Sequence, residues 1–288
     1  MLGFFSAISA VFLWTLACSI WRRESKYLLP RQINIYKNVL ASILFFPAVI
    51  IISWLSEINY IFILVISGII GIAIGDTLYI NSLKILGTRK TLSFEALTPI
   101  IATIIETLSI NEVYTQKVWI GSFIVSFSLL MIVRQNTHEN YNSREVEIFG
   151  ILCALGSVFC AVLAALMSRI TLISSTLTPL QTTEIRLLSS SIFLLLFFRE
   201  DFSHLLKKKS ITKKSHINLF ISTFLGTNLG ILFQQIVFKS LSIGIGWTLL
   251  SLSPVVAICL SKQEEDRINK LTVSYSLLSF IGVYITLS

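Results

Sequence analysis

Long apolar runs alternate with short polar connections along the whole of this 288-residue chain. A helix that crosses the hydrocarbon core of a bilayer needs about 20 mainly apolar residues. Ten segments answer to that pattern, at approximately 2–21, 32–54, 60–82, 91–110, 118–134, 147–170, 181–198, 217–238, 246–261 and 270–287, the ninth being short. The connections are brief except 135–146 and 199–216. The runs are too long, and too continuous in hydrophobicity, for the alternating strands of a membrane barrel. The pattern predicts an all-α polytopic membrane protein.

The two halves echo each other at nearly fixed register. Gly71, Gly75, Lys84 and Pro99 are repeated at an offset of 155 by Gly226, Gly230, Lys239 and Pro254. Gly3, Phe12 and Arg22 are matched at 147 by Gly150, Phe159 and Arg169. Between them, Pro30-Arg31-Gln32 with Lys37 is matched at 149 by Pro179-Leu180-Gln181 with Arg186. Offsets that drift slowly are what changes in loop length leave in a duplicated unit. Ten helices divide into a first unit, 1–134, a connection, 135–149, and a second unit, 150–288. Five helices per unit is an odd number, so the second unit enters the membrane in the opposite sense and the halves are inverted repeats. Internal duplication of this kind points to a transporter with its site between the halves.

Composition agrees with the helix pattern. Hydrophobic residues make up 54% of the chain and charged residues 13%, about half of what a soluble surface of this size carries. The net charge of +8 does not mark a nucleic-acid binder, because the basic residues gather at the ends of apolar runs. Eighteen of them flank the connections that follow the odd-numbered helices, against three (Lys117, Arg169 and Lys239) on the other side. Charge counting therefore puts the odd connections in the cytoplasm and both termini outside a plasma (inner) membrane. The first residues lack the basic start and cleavage site of a signal peptide. Cys18, Cys153, Cys160 and Cys259 lie in apolar runs without ligand spacing and read as small core residues. The three histidines, at 138, 204 and 216, fall in polar stretches. No metal site, cofactor or catalytic constellation is expected.

Ionisable side chains inside spans cost on the order of 2.5–3.5 kcal/mol each on insertion scales, so each needs a reason. For Asp76 the reasons on offer are pairing with Lys84 or Lys37, capping by Thr77 and nearby serines, or lining a cavity and carrying a proton. Glu95 stands four residues before Pro99, which removes the hydrogen bond that the Glu95 carbonyl would accept. The resulting kink either lines a polar cavity or brings Glu95 to headgroup water beside Arg89 and Lys90. Glu106, near the far end of the same helix, is expected at the interface. Lys37 and Arg186 occupy matched places and either snorkel or hold anionic groups. Asn228, Gln234 and Gln235 could line a path for polar solutes or bond between helices. Trp14, Tyr36, Tyr79 and Trp247 could wall an amphipathic substrate, whereas Trp21, Trp54 and Trp119 read as interface anchors. Gly71, Gly75, Gly226 and Gly230 read as close-contact seams, with Pro99 and Pro254 as kinks.

These residues resemble a known family. The Gly71-Ile72-Ala73-Ile74-Gly75-Asp76-Thr77-Leu78-Tyr79 stretch continues to Leu83-Lys84-Ile85-Leu86-Gly87. With the Pro-containing helix and the Asn111-Glu112-Val113 turn, it looks like the EamA-type unit of the drug/metabolite transporter superfamily. The resemblance spans 3–134 and 150–287. The second unit departs at its closing turn, where Arg267 stands opposite Glu112. The resemblance implies ten helices, a central cavity and alternating access, with amino acids or other small metabolites exported, or sugar phosphates and nucleotide sugars exchanged. Better-known members keep both termini in the cytoplasm, against the charge count here.

Together these readings describe a secondary carrier for a small polar or amphipathic, amino-acid-like metabolite, with Asp76 or Glu95 as proton sites. Its expected partners are that solute and membrane lipid, without nucleic acid. One chain already holds both halves of a cavity, so a monomer suffices, though a homodimer is not forbidden. The alternatives are a non-transporting membrane subunit that works through helix contacts, and an intramembrane enzyme. No phosphate-binding Gly-x-x-x-x-Gly-Lys-Ser/Thr loop is present to support direct ATP driving.

Overall fold

A computed structural model describes residues 1–50, 57–134, 144–207, 213–253, 255–256 and 270–288. Pro254 and Trp54, singled out above, lie outside the described residues. The principal helices are α1 (Leu2–Glu24), α2 (Pro30–Phe45), α3 (Ile58–Thr88), α4 (Lys90–Ile110), α5 (Gln116–Arg134), α6 (Arg144–Ser174), α7 (Pro179–Phe197), α8 (Lys213–Ser240), α9 (Ile243–Leu250) and α10 (Lys270–Leu287). Among the described residues, α1, α3, α4, α6, α7 and α8 are long and apolar enough to cross a membrane. The other four have shorter described apolar stretches. The ladder of α2 is interrupted at Phe46, because Pro47 has no N–H to offer, and resumes over Pro47–Ile50. In α5 and α10 the apolar stretches are Gln116–Met131 and Val273–Leu287, and beyond α9 the chain soon leaves the described residues.

The repeated Pro-x-Gln has a simple physical cause. Pro30 and Pro179 each open a helix, at a position where the missing N–H costs nothing. Gln32 Oε1 then accepts from the Leu29 N–H at 3.1 Å, and Gln181 Oε1 from the Thr178 N–H at 2.9 Å. Each glutamine so satisfies a donor that the helix start leaves free. At the other ends, Gly87 adopts φ 82° where α3 gives way to α4, and Asn111 closes α4 at φ 54°.

Polarity is distributed inside out. Gln32, Asn34, Lys37, Asn38 and Ser42 of α2 are buried, as are Thr182, Thr183, Glu184, Arg186 and Ser189 to Ser191 of α7. Apolar side chains such as Ile43, Ile192, Leu196 and Phe197 face outward. In lipid this is the stable arrangement, because outward polar groups would find no water. The two polar helices, α2 and α7, pack on each other, and Ser42 Oγ meets Ser191 Oγ at 2.9 Å. These two serines are 149 residues apart, the offset that relates the two halves there. The final helices behave alike: α5 lies along α10, and a Cβ on Gly121 would come within 2.6 Å of the Gly282 carbonyl oxygen. Two further ties cross between the halves at helix ends. Glu24 accepts from Ser215 and Asn218, and Glu57 accepts from the Thr176 N–H and hydroxyl at 3.1 and 2.6 Å.

Candidate functional site

Both glycine-rich segments widen into π-helix, over Ile69–Gly75 in α3 and Thr223–Gly230 in α8. A π-turn displaces carbonyls from the i→i−4 ladder, and such turns recur where a helix serves a site. Asn34 takes up the loosened oxygens in α3: its Nδ2 lies 3.0 Å from both the Ile72 and Ala73 carbonyls and 2.8 Å from Thr77 Oγ1. In α8, Asn228 Nδ2 donates to the Ala41 carbonyl at 3.0 Å. Glycine lets these segments approach their neighbours. A Cβ on Gly71 would lie 2.6 Å from Ala164 Cβ, and one on Gly226 would lie 2.3 Å from Ala17 Cβ. Gly75 is set similarly against Cys160, at 3.0 Å. Gly230 has more room, its nearest neighbour being a carbonyl oxygen at 3.4 Å.

Between these segments lies a cavity open at its mouth, of about 870 Å³ with the open space included. Helices α1, α3, α4, α6, α7, α8 and α9 all contribute to its wall. Of the residues singled out in the sequence, Trp14, Asp76, Tyr79, Glu95, Arg186, Gln234 and Trp247 line it together with Gly71, Gly75 and Gly230. Apolar side chains, among them Val158 and Phe238, complete most of the remainder.

The charges are arranged unequally. Lys37 is fully buried behind the wall, ion-paired to the Asp76 carboxylate and 5.0 Å above the Trp21 ring. Asp76 therefore takes Lys37, whereas Lys84, its other candidate partner, is exposed. Glu95 sits where α4 tightens to a 3₁₀ turn, Glu95–Leu97, just before Pro99. Tyr79, Trp14 and Ser253 stand around its carboxyl group. Tyr79 also contacts Cys18 Sγ at 3.3 Å. Arg186 is 4% exposed, and its Nε and Nη1 have no hydrogen-bond partner among the described residues.

Some expectations need correction. Trp21 is no interface anchor: it is fully buried, edge-on to Trp14 at 5.2 Å and against Gly226. Tyr36 is not in the cavity wall, and its ring lies 6.1 Å from that of His216. Asn228 is turned between helices rather than into the cavity. Glu106 is wholly buried rather than interfacial. Its Oε1 pairs with Arg169 Nε at 2.9 Å, and its Oε2 accepts from the Ile243 and Gly244 N–H groups at 2.7 and 3.1 Å and from the Tyr114 hydroxyl. A carboxylate at the start of α9 satisfies free amides and meets the positive end of the helix dipole. Burial, together with the bond to Glu106, holds the Tyr114 hydroxyl well above the ordinary phenol range. Arg169 Nη1 closes the node on the Phe238 carbonyl at 2.9 Å and on that of Leu241. Sequence reasoning also missed Thr98, Ser157 and Ser253, which place hydroxyls on the cavity wall. Small polar residues inside apolar runs were the only available signal for them.

A helical membrane protein with a central, charge-bearing cavity is thus defined by its geometry. The sequence model of the EamA-like transporter family matches residues 1–134 and again 148–288, and the chain belongs to that family. It is a family of transporters, not of enzymes. One solved crystal structure superposes with a TM-score of 0.74 over 98% of this chain and 95% of its own, at 12% identity, a likeness that speaks for the fold alone. No curated protein matches the sequence.

Proposed function

We propose that this protein is a secondary carrier of ten membrane-spanning helices, built as two inverted five-helix repeats, 1–134 and 150–288. It exports or exchanges a small polar or amphipathic, amino-acid-like metabolite by alternating access. The observation that carries the reading is the cavity itself. In a transporter family, a chamber bounded by both halves, with Asp76, Glu95 and Arg186 in its wall, is where a solute would bind. The inverted repeat is supported by the meeting of equivalent residues, since Ser42 touches Ser191 at the repeat offset, as paired surfaces do around a two-fold axis. Trp14, Lys37, Asp76, Tyr79, Glu95, Arg186, Gln234 and Trp247 are the residues we assign to solute binding, Lys37 acting through Asp76. Glu95 and Asp76 are the groups able to exchange a proton. One chain contains the whole cavity, so a monomer is sufficient.

The basic residues orient the chain with both termini outside the plasma membrane. A C-terminal reporter active only in the cytoplasm tests this, and strong signal refutes it. Extracellular metabolites compared between cells with and without the protein identify the cargo. Flux of that cargo into proteoliposomes then tests the carrier reading, which falls if no solute moves. Full pH-dependent transport by both Asp76→Asn and Glu95→Gln would refute proton coupling.

A further inference from the structure

We infer that the cavity takes an amphipathic organic anion, whose carboxylate is received by Arg186 and whose apolar body lies against the aromatic wall. The inference rests on the carrier reading and narrows its substrate class. It follows from asking which charge at the cavity still lacks a partner. Asp76 has Lys37, and Glu95 is itself an acid, with Tyr79, Trp14 and Ser253 around it. Arg186 has Nε and Nη1 buried with no hydrogen-bond partner among the described residues, although it lines the cavity. Glu184, two residues earlier, is buried too, but among the described residues it makes no ion pair with Arg186 and is not part of the wall. The carboxylate whose field reaches Arg186 is that of Asp76, which is already bound to Lys37.

The repeat explains how this need arises. Lys37 and Arg186 are equivalent at an offset of 149, while the residue equivalent to Asp76, at 155, is Ile231. Ile231 also lines the cavity and belongs to a buried apolar cluster with Ala41, Ile72 and Leu187. The first half thus holds a cation with its acid, and the second half holds the cation alone. A bound carboxylate fills in the second half the role that Asp76 fills in the first. An unpaired guanidinium in a buried, lipid-embedded site is costly, and the planar fork of arginine matches a carboxylate's two oxygens. Gly71 keeps the place open, since a Cβ there would stand 3.1 Å from Arg186 Nη2. Trp14, Trp247, Phe238 and Val158 offer an apolar surface to the rest of the solute. An amine-headed solute would meet Glu95 and an Asp76 already paired with Lys37, and would leave Arg186 without a counter-charge.

The test uses the purified full-length protein and three probes of one shape: 3-phenylpropionate, its amide, and 3-phenylpropylamine, at equal ionic strength. Binding is read from the fluorescence of the cavity tryptophans and from the shift in unfolding temperature. The acid should bind roughly tenfold or more tightly than the amide or amine, as expected for a hydrogen bond between charged groups. Arg186→Ala should erase that preference and Arg186→Lys should keep part of it. Ile231→Asp puts a carboxylate on the same cavity wall as Arg186, at the place matched to Asp76, and should weaken the preference. A wild-type protein that answers equally, or not at all, to the three probes overturns the inference. So does an acid preference that survives in Arg186→Ala. Such a result with solute flux intact leaves the carrier reading standing, whereas absence of any flux sinks that reading separately.

Discussion

The ion pair of Lys37 and Asp76 makes an asymmetric prediction. Lys37 is 0% exposed, whereas the Asp76 side chain keeps 15% and borders the cavity. Asp76→Asn leaves an ammonium wholly buried without a counter-charge, with only a neutral amide oxygen and the face of Trp21, 5.0 Å away, to compensate it. Stranding a buried charge costs about 3–5 kcal/mol, and a cation–π contact returns at most about 2 kcal/mol of that when desolvated. Lys37→Met leaves a carboxylate that can be hydrated from the cavity or can take up a proton. Its cost is that of an incompletely satisfied acceptor, about 1–3 kcal/mol. The double variant removes both charges and should recover much of the loss, with a coupling of about 1–3 kcal/mol. Unfolding of membrane proteins is often irreversible, so the assay should compare unfolding rates at one temperature. Labelling of Cys18 and Cys153, both buried in the folded state, reports the event directly. The reasoning is refuted if Lys37→Met unfolds as fast as Asp76→Asn, or if the two effects simply add.

Three other outcomes are expected. Gly226→Ala should lower the unfolding temperature, by about 1–3 kcal/mol of overpacking, because its Cβ would lie 2.3 Å from that of Ala17. Gly230→Ala, with 3.4 Å of clearance, should be much milder, and equal effects would contradict the seam geometry. Glu106→Ala strands Arg169 and two amides of α9, so it should destabilise by about 3–5 kcal/mol. Glu106→Gln keeps an acceptor and should cost clearly less in the same thermal assay; the reverse order would discount the capping role. Finally, Ser42→Cys with Ser191→Cys should form a disulfide under mild oxidation, since the two hydroxyl oxygens lie 2.9 Å apart. Mass spectrometry would find the cross-linked peptides, and two thiols still open to alkylation would argue against α2 lying on α7.

Much of the fold was legible because lipid imposes a simple rule on sequence. A span must be apolar and helical, so α1, α3, α4, α6, α7 and α8 announce themselves by length. The repeated Pro-x-Gln marked two helix starts for a reason visible in the residues themselves. The paired glycines marked segments of close contact, but their spacing gave no sign of the π-turns that form there. Whether a helix inserts an extra residue per turn depends on what satisfies its displaced carbonyls. For α3 that is Asn34, from a different helix. Trp21 and Glu106 were misplaced for a related cause. Each stands near the end of a span, where linear position implies the interface, yet neighbouring helices cover both completely.

By itself, then, the sequence determined that this chain lies in a membrane as helices, that it is duplicated, and that a few charges sit within its spans. Those properties depend on local composition and on spacing, which a linear pattern carries in full. Only the tertiary structure decided which charges have partners. Lys37 and Arg186 are equivalent in the sequence, but Asp76 reaches one of them, and the sequence-matched residue on the other side, Ile231, has no charge to offer. A pairing between helices depends on distances of a few ångströms across the bundle. Those distances follow from packing, and no spacing along the chain encodes them.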